Sequence, residues 1–336
     1  MVTIKDIARE ADVSPSTVSR VLSNKKDFFN PATAAKVRKI AKKLGYRKNT
    51  LAANLVKKKN NIIVVVISSV ETNFSDQIIK GIQSEAQGIG YDIMYMYTHT
   101  TNEEEHKHIL ETLISRQISG ILFVSVILEK ENITLLDAAK IPYIFVSIKP
   151  DNEHMVIGSD DQEIGYLATK YLINLGHKII GLAGVDAYPY AGFSRIKGYQ
   201  RALDEFGIEA NEKYIFYGDY SYNSGSQAIK YYHENFSSLT GIVAASDSCA
   251  TGILNYAYDH KIKIPEEYSI ITIDGTNLCN ITRPRLTSVT QNFRKMGSLG
   301  VRKLIKLMEG KVNTKNKSIF VPVKIDVRSS TARLTR

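Results

Sequence analysis

Cysteine is scarce in this 336-residue chain, which holds only Cys249 and Cys279. Two cysteines cannot form a disulfide framework, and these lack the spacing of a metal site. Both are expected to pack as small apolar groups in a reduced, cytoplasmic protein. Long apolar runs are missing too. Nothing approaches the ~18 consecutive residues of a membrane-spanning helix, so no membrane partner is expected. The opening MVTIKDIARE lacks the apolar stretch of a signal peptide. Catalytic signatures are absent: there is no GxSxG, no P-loop and no HExxH, and Gly88-Ile89-Gly90 lacks the rest of a dinucleotide fingerprint. Glu103, Glu104, Glu105, His106 and His108 crowd one expected helix start. Acids are favoured there by the helix dipole, so a solvated face is expected ahead of a weak metal site. No catalytic residue, cofactor or metal is implied.

Acidic charge is nearly missing from one stretch. The net charge of the chain is +10. Residues 1–60 carry 15 Lys and Arg against 4 Asp and Glu, a net of +11, and the rest carries 29 against 30. The whole excess lies in the first sixth of the chain. A basic segment joined to a neutral body is the electrostatic footprint of a polyanion-binding module. The composition, 43% hydrophobic and 23% charged, excludes a disordered or fibrous chain. At roughly 100–200 residues per domain, the length suits two or three domains.

Within the basic segment, Ile4, Ile7, Ala8 and Ala11 recur at helical spacing after a capping-box-like Thr3 and Asp6. Asp12-Val13 makes a break. Ser14 then suits an N-cap and Pro15 the first helical position, with Val18, Val21 and Leu22 as the apolar face. A third helix begins at Asn30-Pro31, buries Val37, Ile40, Ala41 and Leu44, and stops at Gly45. Three short helices, the first two joined by a tight turn, read as helix-turn-helix, although periodicity alone also allows a generic small bundle.

The string TIKDIAREADVSPSTVSRVLSN resembles the DNA-binding headpiece of the lactose-repressor (LacI/GalR) family, as does the later RKIAKKLGYRKNTLAANL. The resemblance implies that the second helix enters the major groove, with Pro15, Ser16 and Arg20 at base edges. Arg20 suits a bidentate contact to guanine, Ser16 discriminates weakly, and Pro15 offers only apolar contact. Thr17, Ser19 and Ser23 are expected on phosphates, where they set register. Lys25, Lys26, Lys39, Lys42 and Lys43 read as a solvated, basic face. In the family the following segment is a hinge helix that forms when two copies pair on the operator. Here Asn49 can cap it, and Leu55, beside Ala52, matches the leucine that wedges into the minor groove. The family usually has proline just before this hinge, where Lys48 stands here. A strand-linker of the core is the alternative for LAANLV, disfavoured by Lys57, Lys58 and Lys59 after it.

The body opens with IIVVVIS at 62–68, a β-branched run suited to a strand buried on both faces. Further strands are expected at 91–97, 120–124, 142–147, 155–159, 179–183, 214–217, 241–245 and 269–273. Helices are expected at 75–88, 102–116, 162–175, 194–205, 223–232, 247–260 and 293–308. Repeated βα units imply parallel sheets with helices on both faces. The expected fold is a small all-α helix-turn-helix headpiece plus an α/β sensor of two doubly wound parallel-sheet lobes. Ligands in such sheets bind beyond the carboxyl ends of the strands, here in a cleft between lobes.

This body also resembles the family's sensor, whose fold is that of periplasmic sugar-binding proteins. The best stretches are SDDQEIGYLATKYLINLGHKIIGLAG, SRIKGYQRALDEFGI, ASDSCATGILNYAYDHKIKIPEEYSIITIDG and RLTSVTQNFRKMG. The implied division is a headpiece over 1–46, hinge and linker over 47–60, and an effector-binding and dimerisation domain over 61–330. Its N lobe would span about 61–158 and 291–318, its C lobe about 159–290 and 319–330, with lobe crossings near 158, 290 and 319. The positions matching the family's effector contacts are Phe74, Ser147, Arg195, Tyr220, Asp247, Asp274, Gln291 and Phe293. Arg195 would bond ligand hydroxyls through its planar fork, and Asp274 would accept from two adjacent hydroxyls. Tyr220 and Phe293 fall where aromatic rings stand against a sugar's C–H face. Ser147 falls where some members carry Asp. Bland readings stand beside three of these: Asp247 as an N-cap, Arg195 as a surface ion pair, and Tyr220 as a packing residue.

The expected protein is a homodimeric transcription regulator on a near-palindromic double-stranded operator. It would repress carbohydrate genes and be released by a small sugar effector. A phosphoprotein corepressor or a purine is the nearer alternative to the sugar. A sugar-binding protein without a regulatory role leaves the basic headpiece unexplained. A sugar-processing enzyme lacks its catalytic groups.

Overall fold

The computed structural model describes residues 2–23, 29–46, 61–68, 74–116, 118–148, 154–186, 191–311 and 318–334. The chain forms two compact units, Met1–Asn60 and Asn61–Arg336. The expected hinge, with Ala52 and Leu55, lies outside the described residues, as do Lys25 and Lys26.

In the first unit, α1 (Ile4–Ala11), α2 (Pro15–Leu22) and α3 (Pro31–Lys43) are each started by a side chain. Thr3 and Asp6 make a full capping box: Thr3 Oγ1 accepts from the Asp6 amide at 3.3 Å, and Asp6 Oδ2 accepts from the Thr3 amide at 2.9 Å. Ser14 Oγ accepts from the Thr17 amide at 3.2 Å, and Asn30 Oδ1 from the Ala32 amide at 2.9 Å. Proline at the first position of α2 and α3 loses no hydrogen bond there. Each cap contributes about 1 kcal/mol, a large share for helices this short. Asp12 ends α1 in the left-handed region, at φ 52°. The small core is Ile7, Ala8, Ala11, Val18, Val21, Ala34, Val37 and Ala41.

The second unit contains two six-stranded sheets. In the first, β1 (Ile62–Ser68), β2 (Asp92–Thr98), β3 (Gly120–Val124), β4 (Tyr143–Val146), β5 (Val156–Gly158) and β11 (Ile319–Phe320) take the order β11-β5-β4-β3-β1-β2. In the second, β6 (Ile180–Val185), β7 (Ile215–Tyr217), β8 (Gly241–Ala244), β9 (Ser269–Asp274), β10 (Thr287–Thr290) and β12 (Lys324–Asp326) take the order β12-β10-β9-β8-β6-β7. All pairings are parallel except β10 with β12. Six of the seven residues of β1 are buried, as its apolar run requires.

The helices of this unit are α4 (Ser75–Gly88), α5 (Glu103–Ser115), α6 (Lys130–Ala139), α7 (Asp161–Asn174), α8 (Ala191–Glu205), α9 (Tyr222–Asn235), α10 (Asp247–Asp259), α11 (Leu278–Ile281) and α12 (Phe293–Met308). Parallel strands joined by helices build each lobe around its own apolar core. Helix α7 lies close on α8 because Gly165 and Gly198 have no Cβ. A Cβ at Gly165 would overlap the Arg195 carbonyl, and one at Gly198 the Gln162 carbonyl. That close approach sets the position of Arg195.

Several elements differ from the expected pattern. Strands β10, β11 and β12 were not anticipated, because two to four residues carry no period. Helix α6 was missed because KENITLLDAA includes β-branched Ile133 and Thr134, and Glu129 gives no capping hydrogen bond. The chain passes between sheets after Gly158, after Thr290 and after Phe320. The third passage falls later than 319: Ile319 and Phe320 pair with Ile157 and Gly158, so they belong to the first lobe. The second lobe also runs past 330, since Leu334 donates its amide to the Leu175 carbonyl at 2.8 Å.

The acidic start of α5 is not wholly a solvated face. His106 is 1% exposed. Its Nε2 faces the His99 carbonyl at 2.8 Å and its Nδ1 the Glu129 carboxylate at 3.3 Å. The ring ties down the chain just before Thr100 and Thr101. Among the described residues no cluster is fit to hold a metal ion.

Candidate DNA-reading helix and effector cleft

Helix α2 turns Val18 and Val21 inward, both fully buried, and this aims its other face outward. Pro15, Ser16, Ser19, Arg20 and Ser23 are exposed on it, and Thr17 is half-buried. Ser14 Oγ lies 2.7 Å from Ser16 Oγ and 2.9 Å from Thr17 Oγ1, so both hydroxyls are held at the N-terminus of the helix. Lys36, Arg38, Lys39, Lys42 and Lys43 on α3 are exposed. A compact unit with an outward polar helix and a basic flank can meet a groove edge and its phosphates together.

In the second unit a cavity of about 560 Å³ opens between the carboxyl ends of the two sheets. Phe74, Ser147, Arg195, Tyr220, Asp274, Gln291 and Phe293 line it. The first lobe supplies apolar rings and small hydroxyls: Phe74 and Phe293, with centroids 5.3 Å apart, and Thr100, Thr101, Ser125 and Ser147. The second lobe supplies the charges.

Arg195 projects from α8 and is 7% exposed, so the surface ion-pair reading fails. Its Nε donates to Asp161 Oδ1 at 2.9 Å and its Nη1 to the Ala245 carbonyl at 2.7 Å. Burial opposes its charge most strongly, but Asp161, Tyr220 and Asp274 together outweigh burial and hold the guanidinium above its ordinary range. Asp161 is itself raised, because burial exceeds the pull of Arg195. The guanidinium has five N–H donors, so donors remain for a ligand. The Tyr220 ring lies 5.5 Å from its Cζ, within cation–π range.

Asp274 ends β9 and is 6% exposed. Gln291 Nε2 donates to its Oδ1 at 2.9 Å, and the Gln291 amide donates to its carbonyl at 3.0 Å. Burial first, and Asp247 second, push its carboxyl well above the usual range. Its φ is 113°, and Ser125, Ser147 and Tyr220 also have positive φ, at 55°, 78° and 66°. Four strained non-glycine residues lining one cavity, two from each lobe, is a concentration expected of a functional site.

Asp247 does not line the cavity. It is 1% exposed, and its Oδ2 accepts from the Thr276 amide at 2.6 Å. Nor is it the N-cap of α10. Ser246 is, with extended backbone and its Oγ accepting from the Cys249 amide at 3.0 Å. Asp247 therefore clamps the loop after β9. The residues that sequence reasoning missed are Thr100, Thr101, Ser125, Asp161, Asp186, Asp219 and Ser246. Most stand just past the ends of strands or at helix starts, so the rule that ligands sit beyond strand carboxyl ends could have found them.

A helix-turn-helix unit and a two-lobed, cleft-bearing unit in one chain define a ligand-responsive DNA-binding regulator. Known proteins agree. Residues 3–49 match bacterial regulatory proteins of the lacI family. Residues 169–331 match a periplasmic binding protein-like domain. Catabolite control protein A of Priestia megaterium is 33% identical over 332 residues, 98% of this chain and 99% of that protein. The lac repressor dimer bound to operator and the anti-inducer ONPF aligns over 98% of this chain and 99% of its own, at 26% identity and a TM-score of 0.87. The LacI family regulator CCPA from Weissella paramesenteroides with bound glucose covers 82% of this chain and 100% of its own, at 26% identity and a TM-score of 0.72. The chain belongs to the LacI family of bacterial transcription regulators. These relatives are regulators, not enzymes. No helix of the described residues is long and apolar enough to cross a membrane.

Proposed function

We propose that the protein represses carbohydrate genes from the cytoplasm and leaves its operator when a small sugar occupies the cleft. The observation that carries this reading is the wall chemistry. Two phenyl rings tilted at 37° to one another line the same cavity as a buried Arg195 and Asp274, which suits a ligand with C–H faces ringed by hydroxyls. The glucose-bound relative supports it. Pro15, Ser16 and Arg20 read bases, Thr17, Ser19 and Ser23 hold phosphates, and Leu55 with Ala52 enters the minor groove.

Residues 1–46 act as the headpiece, 47–60 as hinge and linker, and the remainder as sensor and dimerisation domain. The protein works as a homodimer on a near-palindromic site. The exposed Tyr97 (64%), Tyr258 (84%) and Ile281 (62%) are apolar surface that a second copy can cover.

The test is operator binding by the full chain across a salt series. Affinity falls steeply as salt rises, because Lys and Arg displace condensed counterions, and residues 61–336 alone bind no operator. Salt-independent binding, or a truncated chain that still binds, contradicts the reading.

A further inference from the structure

Charge in the cleft is one-sided. The described residues lining it include four acids, Asp161, Asp186, Asp219 and Asp274, and one base, Arg195. That base is engaged by Asp161 through Nε and Nη2, both 2.9 Å from Oδ1. Asp186, Asp219 and Asp274 therefore have no cation of their own on the described wall.

Two polar groups of the same wall are unspent. Asp186 Oδ1 and the Tyr220 hydroxyl are buried without a hydrogen-bond partner among the described residues. The Tyr220 hydroxyl and the Gly192 amide both favour the ionised Asp186 carboxylate, without outweighing its burial. An unspent buried carboxylate oxygen calls for a donor from outside the protein. Sugar hydroxyls donate. A phosphate monoester carries about −1.5 to −2 charge at neutral pH and presents acceptor oxygens.

Three of the four acids already resist charge, Asp161 among them. Burial raises Asp186 above the usual carboxylate range, and Asp274 well above it. For Asp219, burial also acts against the charge, but hydrogen bonds from Ser221 and Ser224 outweigh it and keep the carboxyl below its ordinary value. An incoming anion meets one firmly ionised acid and three that its own field would drive further from ionisation.

Resting on the sugar-effector reading above, we propose that Asp186 and Asp219, with the Tyr220 hydroxyl, restrict this cleft to unphosphorylated saccharides. Selection works by repulsion as much as by attraction: among the described residues the wall offers a phosphorylated ligand no cation free of a carboxylate partner, and sets the ionised Asp219 against it.

The test uses the full-length protein and isothermal calorimetry with matched pairs: glucose and glucose 6-phosphate, fructose and fructose 6-phosphate, trehalose and trehalose 6-phosphate. Whichever pair is bound, the free sugar is expected to bind at least about tenfold more tightly than its phosphate. In Asp186→Asn and Asp219→Asn that ratio falls at least about threefold, with melting temperatures checked to confirm folding. A phosphate that binds as tightly as its parent sugar overturns the proposal and leaves the sugar reading standing. An unchanged ratio in both folded variants overturns the assignment to these residues. Binding of no member of any pair overturns the sugar reading itself, and this proposal with it.

Discussion

The headpiece and the sensor solve the same problem, placing polar groups where a partner will meet them, in opposite ways. In the headpiece the proposed readers lie within Pro15–Ser23, on one short helix whose buried Val18 and Val21 aim them outward. In the sensor the cleft gathers residues from Phe74 to Phe293, contributed by both lobes. Headpiece polar groups stay in water and cost little. Cleft groups are buried, strained and mutually dependent. Loss of a headpiece reader is therefore expected to cost one contact, whereas loss of a cleft residue disturbs a network.

The largest effect that sharpens this contrast belongs to Arg195→Ala. It leaves the Asp161 carboxylate buried without its counter-charge and should destabilise the sensor by about 3–5 kcal/mol, with loss of the response to effector. Adding Asp161→Asn should recover much of the stability and none of the response. Denaturant unfolding reads the first and ligand-dependent operator release the second. A stable Arg195→Ala single variant would break the comparison.

Arg20→Ala, by contrast, should leave stability unchanged and cost about 1–3 kcal/mol at a single base pair of the operator, read by binding to a set of single-substituted sites. A uniform loss across all sites would instead make Arg20 a phosphate contact. Ser14→Ala should lower headpiece stability by about 1 kcal/mol, through the lost bond to the Thr17 amide, without moving the sensor's unfolding transition.

The smallest expected effect is a pH dependence. Asp274 is raised by burial and by Asp247 above its ordinary 3.8, so the folded sensor keeps a proton that the unfolded chain has released. Its contribution to stability is complete below that ordinary value and is lost as pH climbs toward the raised one. Asp274→Asn escapes this loss. Its gain in stability over the parent should be seen near neutral pH and shrink as pH falls toward the ordinary carboxylate range. A gain that grows on acidification contradicts the buried, proton-holding carboxyl.

Legibility in the sequence follows the same divide. Ser14-Pro15 and Asn30-Pro31 mark the starts of α2 and α3 because capping is local chemistry. The β-branched run IIVVVIS declares a buried strand for the same reason. Seven effector positions suggested by family resemblance do line the cleft, but Asp247 does not, because the extended backbone at Ser246 moves the cap one residue earlier. His106 looked solvent-facing among its glutamates, and only the packing of α5 against the loop before Thr100 shows why it is buried. Strands β11 and β12 exist through pairing with distant partners, and no pattern within two or three residues announces that.

Occupancy of the cleft is expected to be linked to operator affinity. Operator titration of the full-length protein, with and without a saturating concentration of whichever sugar calorimetry identifies, tests it most directly. The ligand is expected to weaken operator binding by about 5–150-fold, and operator to weaken ligand binding by the same factor. A ligand that binds the cleft while operator affinity stays unchanged would contradict it.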